Sequence, residues 1–342
     1  MMRDLNGVMN RRQVVKRAAA LGLAVPVVAG MPRLAMAQEK KYSIAYVTPG
    51  LNVPFWKYLS DGIKQAAAKT GANIEVTDYD SRNDAATQLQ NAQDAITRGV
   101  SAIIISPTDS STCPAVLEIA ADAKVPVIIA DIGTDEGEYV SFVISDNEQG
   151  AYEAGQTLVK EMDAKGWKGK DVIMIAISQA RINGQNRTKG FKRALDEGGS
   201  KLVQFLESKD YTRAEAQKQA LDLLTANPEA RGFFTQHDEA TLGTWTAIED
   251  SDKQNDIVLV GFDGSPESVQ LIKEGKLRGA SMQQPVLMGR TAMDVTFKHL
   301  NGEQVEKETS VPTILVTPDN VDKLEAQLAD TVFPVEATPT PK

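Results

Sequence analysis

The chain has 342 residues, 42% of them hydrophobic, and a formal net charge of −9, which is material for one large or two ordinary domains with real cores. An acidic balance without any stripe of Lys and Arg excludes a nucleic-acid surface, because phosphate binding needs clustered basic side chains. Cys113 is the only cysteine, so neither an intramolecular disulfide nor a thiolate metal cluster is available, and it reads as a small buried hydrophobe.

Residues 1–37 differ in kind from the rest. Arg11, Arg12, Lys16 and Arg17 precede an apolar run from Ala18 to Gly30, and Ala35 and Ala37 frame a cleavage site near Ala37. This is the layout of an export signal peptide, and its apolar run is too short to span a bilayer. The stretch from Asn10 to Lys16, NRRQVVK, is twin-arginine-like, while the general secretory route would accept the same run. The expected destination is the periplasm of a Gram-negative cell, with the protein soluble after cleavage and using none of the disulfides permitted there.

From Tyr42 onward short β-branched runs alternate with longer amphipathic ones. The first series predicts strands over 42–47, 73–79, 101–106, 125–131 and 140–145, separated by helices over 55–70, 85–98 and 112–123. A second series begins after Asp146 and Asn147. It predicts strands over 171–178, 201–207, 231–236, 256–263 and 278–283, and helices over 151–165, 186–197, 213–225, 239–249 and 266–273. A helix over 286–300 and a strand over 312–316 complete the folded part, and 331–342 reads as a flexible tail. Near-continuous apolar runs such as AIII suit a sheet covered on both faces. The fold class is therefore α/β, with two doubly wound parallel sheets, Rossmann-like, one after the other.

Ligands of such sheets bind beyond the carboxyl ends of the strands. The informative residues are those at 52–56, 106–111, Asp131, the SQARINGQNR loop at 178–187, Asp210, Tyr211, 236–238, Asp263 and Gln283. No Walker motif, G-x-G-x-x-G fingerprint or G-x-S-x-G elbow is present. The two histidines, His237 and His299, support neither a metal pair nor a catalytic triad. No enzyme, cofactor or metal is expected. Asp78–Asp84 reads as a solvated turn and not a calcium loop, because Arg82 stands where an oxygen ligand belongs and the required glycine is missing.

The motifs NVPFWKYLSDGIKQAA, IISPTDSS, VPVIIAD, ISDNEQGAYEAG, TKGF, LLTANPE, FTQHDEATLG, VLVGFDGSPES and GKLRGASMQQP, in this order and spacing, resemble the type I periplasmic binding proteins of the ribose/galactose-like cluster. These are the sugar-binding receptors of ABC transporters, and the resemblance spans essentially the whole mature chain. It implies two α/β lobes joined by a three-crossover hinge, with an N-terminal lobe of 42–145 plus 284–312 and a C-terminal lobe of 146–283 plus 313–330. It also implies a non-enzymatic, monomeric receptor that takes a small polyhydroxylated ligand between the lobes and docks an ABC permease. A receptor of the same fold serving a chemoreceptor or sensor kinase is the alternative. The absence of DNA-binding helices and the export signal argue against a LacI-type regulator core.

The resemblance assigns ligand contact to Asn52, Phe55, Trp56, Asp131, Arg187, Tyr211, His237, Asp263 and Gln283. Their chemistry is coherent in its own right: carboxylates accept from hydroxyls, a guanidinium donates, an amide does both, and aromatic faces cover C–H groups. Five of them also have a structural alternative. Phe55 would be core, Asp263 a cap for the helix near Pro266, Arg187 half of a structural ion pair, Tyr211 a residue of the hinge edge, and His237 a helix cap with Asp238 facing solvent. Three positions depart from ribose-type receptors: Ile132 follows Asp131 where Arg is usual, His237 replaces an amide, and Val53 replaces a polar Asn that Asn52 would offset. These changes point away from plain ribose, toward a deoxy sugar, a linear polyol or another small polar compound, with an apolar wall made by Val53 and Ile132.

Overall fold

The computed structural model describes residues 41–334; the expected export segment at 1–37 and the last eight residues lie outside them. Two six-stranded sheets organise the described chain. The first runs in the order β11-β5-β4-β3-β1-β2, built from β1 (Lys41–Thr48), β2 (Asn73–Asp80), β3 (Ala102–Ile105), β4 (Val127–Ala130), β5 (Ser141–Ser145) and β11 (Glu308–Val311). All its pairings are parallel. The second repeats the pattern as β12-β10-β9-β8-β6-β7, from β6 (Asp171–Ala176), β7 (Lys201–Glu207), β8 (Gly232–Thr235), β9 (Val258–Phe262), β10 (Ala280–Met282) and β12 (Ile314–Val316). Only β12 runs antiparallel to its neighbour.

Each sheet is apolar on both faces, as parallel sheets require. In β3, Ala102 and Ile104 enter one cluster with Trp56, Leu59 and Met288, while Ile103 and Ile105 enter another with Val116, Leu117 and Cys113. In β6, Ile173 and Ile175 face one core and Val172 and Met174 the other. Burial pushes the Cys113 thiol up to about 12, so it packs as an unreactive core residue.

Helices cover both faces: α1 (Pro54–Lys69), α2 (Ala85–Thr97), α3 (Cys113–Asp122), α4 (Asn147–Ala164), α5 (Ile182–Gly198), α6 (Arg213–Ala226), α7 (Asp238–Asp250), α8 (Pro266–Lys273), α9 (Pro285–Leu300) and α10 (Val321–Thr331). Helices α1 and α9 pack backbone to backbone: a Cβ at Gly289 would stand 2.1 Å from Leu59 O, so only glycine permits this approach.

The chain changes sheets three times, at Ser145–Asn147, Gln283–Pro285 and Val311–Thr313. Gln284 Nε2 donates to Pro312 O at 2.7 Å, tying two crossings together, and Asn147 Nδ2 donates to Ser145 O at 2.9 Å within the first.

The structure differs from expectation toward the C terminus. Strand β11 and helix α10 have no counterpart in the sequence reading, and Thr331, Val332 and Phe333, placed there in the tail, are buried; the last two lie in the second lobe's core. Val321, Leu324 and Leu328 give α10 an apolar stripe at helical spacing, which the reading passed over.

Candidate functional site

The carboxyl ends of both sheets face a cavity of about 110 Å³ between the lobes. One water needs roughly 10–15 Å³ on this scale, so the cavity takes several waters or one small solute. All nine sequence-predicted residues line it: Asn52, Phe55, Trp56, Asp131, Arg187, Tyr211, His237, Asp263 and Gln283.

Two aspartates occupy equivalent places in the two lobes. Asp131 directly follows β4 and Asp263 directly follows β9, with φ of 68° and 66°. This left-handed turn, which Asp tolerates better than most residues, is pinned in each lobe by the next strand: Asp131 N–H donates to Val143 O at 2.8 Å and Asp263 N–H to Ser281 O at 3.0 Å. Ile132 points the other way, into the core with Trp56 and Ala130, and does not line the cavity. The expected apolar wall is thus made by Val53 with the aromatic pair, without Ile132. Asp263 is not the cap of α8; Ser265 takes that role, its Oγ accepting from Ser268 N–H at 3.1 Å.

Asp131 is buried. One oxygen accepts from Asn183 Nδ2 at 3.1 Å, and Oδ1 has no partner among the described residues. Burial raises its pKa to about 7, with Arg187 opposing and Asp263 reinforcing the shift. Burial raises Asp263 as well, against Arg187 and the bond from Gln283. Gln283 Nε2 donates to Asp263 Oδ1 at 2.6 Å, and Gln283 Oε1 is buried without a partner among the described residues.

Arg187 on α5 is 2% exposed. It donates to Asn147 Oδ1 at 2.8 Å and to Gln236 O at 2.5 Å, stands 3.5 Å from Asp263 Oδ1, and lies 4.0 Å over the Phe262 ring. Its ion pair therefore joins two cavity residues, and the structural and binding readings of Arg187 coincide.

On the first lobe Pro54 starts α1, and the two aromatics that follow meet edge to face, 4.8 Å apart at 89°. Trp56 is the buried member and packs under the first sheet; Phe55 is half-buried. Asn52 is exposed at the rim.

His237 caps α7, its Nδ1 accepting from Ala240 N–H at 3.3 Å. Burial, aided by Arg187 and Arg181, lowers its pKa to about 3, so the ring is neutral. Asp238 does not face solvent: it lines the cavity, accepts a hydrogen bond from Ser268 Oγ, and is raised to about 7 by burial. Tyr211, at φ 55°, is half-buried, and its Oη accepts from Ser178 N–H at 3.2 Å.

Three further residues went unassigned in the sequence. Arg181 is buried, donates to Thr108 O at 2.9 Å and Asn83 Oδ1 at 3.1 Å on the other lobe, and covers the Tyr211 ring at 4.8 Å. Asn183 crosses the cleft to Asp131. Asn83 belongs to the turn read as merely solvated; there Asp84 caps α2 through Thr87 N–H at 2.7 Å, and Asn83 at φ 55° lines the cavity.

Residues 44–304 match the family model of the periplasmic binding protein domain. The chain belongs to the type I periplasmic binding proteins, in the ribose/galactose-like cluster. Among its relatives, the ribose import binding protein of Salmonella typhimurium is 34% identical over 304 residues, 88% of this chain and 98% of that one. The D-apiose import binding protein of Paraburkholderia graminis is 27% identical over 82% of this chain and 89% of its own length. In structure the chain is similar to an ABC transporter solute binding protein of Bacillus halodurans solved with bound myo-inositol, with a TM-score of 0.76 and 27% identity over 85% and 99% of the two chains. As a periplasmic binding protein this chain is a solute binder and not an enzyme. No helix among the described residues is long and apolar enough to cross a membrane.

Proposed function

We propose that this periplasmic binding protein captures a monosaccharide or polyol other than plain ribose in the cleft between its lobes and delivers it to the membrane permease of an ABC importer. Hinge closure on the solute is the general behaviour of the class. Residues 1–37 serve as the export signal, cleaved near Ala37, and the receptor works in the periplasm. The observation that carries the reading is the pair of buried, unpartnered acceptors, Asp131 Oδ1 and Gln283 Oε1, on residues that line the cavity. A buried acceptor left unpaired costs about 1–3 kcal/mol, and hydroxyl groups are donors that fit both. Beside them Phe55 and Trp56 offer apolar faces to C–H groups. Plain ribose is set aside because Val53 lines the wall and His237 has engaged both ring nitrogens elsewhere.

A thermal-shift screen over pentoses, hexoses, deoxy sugars, polyols and nucleosides tests the proposal. A solute at a hundredfold excess over its Kd stabilises by about 2.7 kcal/mol, and one class should raise Tm with D-ribose not the strongest member. Asp263→Ala should abolish that shift while far-UV circular dichroism stays native. A shift unchanged in the variant at saturating solute would sink the assignment.

A further inference from the structure

Two rings of the second lobe direct their polar atoms away from the cleft. His237 Nδ1 accepts from Ala240 N–H, so its proton sits on Nε2, which lies 2.8 Å from Ser208 Oγ and donates to it. Neither Ala240 nor Ser208 lines the cleft cavity; Ser208 lines a neighbouring groove. Tyr211 behaves alike: its Oη is bonded to Ser178 N–H, a residue of the same groove. The two rings meet at 5.3 Å and 54°, and the Arg181 guanidinium covers the Tyr211 ring. What His237 and Tyr211 present to the cleft is carbon, whereas the unpartnered acceptors belong to Asp131 and Gln283.

We propose that His237, backed by Tyr211, is a specificity-determining surface that selects a solute with a deoxy position or a methyl group at this corner. The inference rests on the sugar or polyol reading above. A hydroxyl turned onto the His237 ring leaves water and finds neither donor nor acceptor on that ring, whose two nitrogens are engaged elsewhere, which is costly. A C–H or methyl group instead lies against ring carbon and is itself removed from water.

The test measures Kd by calorimetry for matched pairs: D-fucose with D-galactose, 2-deoxy-D-ribose with D-ribose, and L-rhamnose with L-mannose. The wild-type protein should bind the deoxy member of at least one pair about tenfold or more tightly. His237→Asn retains a strong N-cap residue for α7 and adds a side-chain amide, so it should bring that ratio to unity or invert it. Tighter binding of the hydroxylated member in every pair overturns the assignment. So does a ratio that His237→Asn leaves unchanged, or binding confined to solutes lacking any deoxy or methyl position. Absence of stabilisation by any neutral sugar or polyol overturns the parent reading, and this one falls with it.

Discussion

Under the proposed role of Asp131 as a solute contact, binding should be proton-linked. Its carboxyl is 2% exposed and titrates near pH 7 because burial outweighs the attraction of Arg187. At pH 6 it is therefore mostly protonated in the free receptor. A solute hydroxyl donating to Oδ1 favours the ionised form, and a hydrogen bond to a charged group is worth about 1.5–3 kcal/mol. At about 1.36 kcal/mol per pKa unit, the bound carboxyl should titrate roughly one to two units lower. Binding must then expel a proton at pH 6 and not at pH 8, so affinity should rise by about tenfold between these values. Calorimetry in two buffers of different ionisation enthalpy counts the protons directly. Asp131→Asn removes this titration and should lower proton release at pH 6 by roughly 0.4 to 0.8 proton per solute bound, while weakening binding at pH 8 by about tenfold or more. Affinity that falls as pH rises, or equal proton release in wild type and variant, would refute the reasoning.

Other expectations concern closure and stability. Arg181→Ala deletes the bonds to Thr108 O and Asn83; stopped-flow release should quicken and small-angle scattering with saturating solute should show a larger radius, and identical values would count against Arg181 as a tie between the lobes. His237 has a folded pKa of about 3 against an ordinary 6.5, so the unfolded chain binds its proton first and the stability this ring provides is complete above pH 6.5 and lost as pH falls toward 3. The stability difference between wild type and His237→Asn should therefore move against wild type by about 1.4 kcal/mol per unit between pH 6 and 4; urea unfolding that gives a pH-independent difference contradicts a buried neutral ring. Gly289→Ala puts a methyl 2.1 Å from Leu59 O and 2.9 Å from Ile63 N, and because both are backbone atoms it should cost about 1–3 kcal/mol in urea unfolding.

The alternation of strands and helices led from sequence to both sheets, and the strand-end rule to the loops around the cleft, because both are local signals; the resemblance to the binding-protein family then picked out the nine residues that line one cavity. What escaped them depends on contacts between distant segments. Arg181 and Asn183 lie in the loop singled out after β6, yet their partners Thr108, Asn83 and Asp131 come from the other lobe. Asn83 looked like solvated turn because its left-handed backbone, which aims it at the cleft, leaves no periodicity to read. The direction of Ile132 was misjudged for a related reason: the turn at Asp131 sends consecutive side chains to the cavity and to the core. Strand β11 is short, pairs with β5 from far along the chain, and is half exposed, so its four residues carried little signal.

Gln283 and Gln284 are adjacent, one holding Asp263 in the cleft and the other clasping Pro312 at the crossing between lobes. Under the proposed binding role of Gln283, the residue that would contact a solute and the residue tied to the crossing share one peptide bond. Anyone retuning this receptor as a biosensor will find that changes at Gln283 alter bending and selectivity together. Substitutions at Asp131 or His237, away from the crossings, offer selectivity as a separate dial.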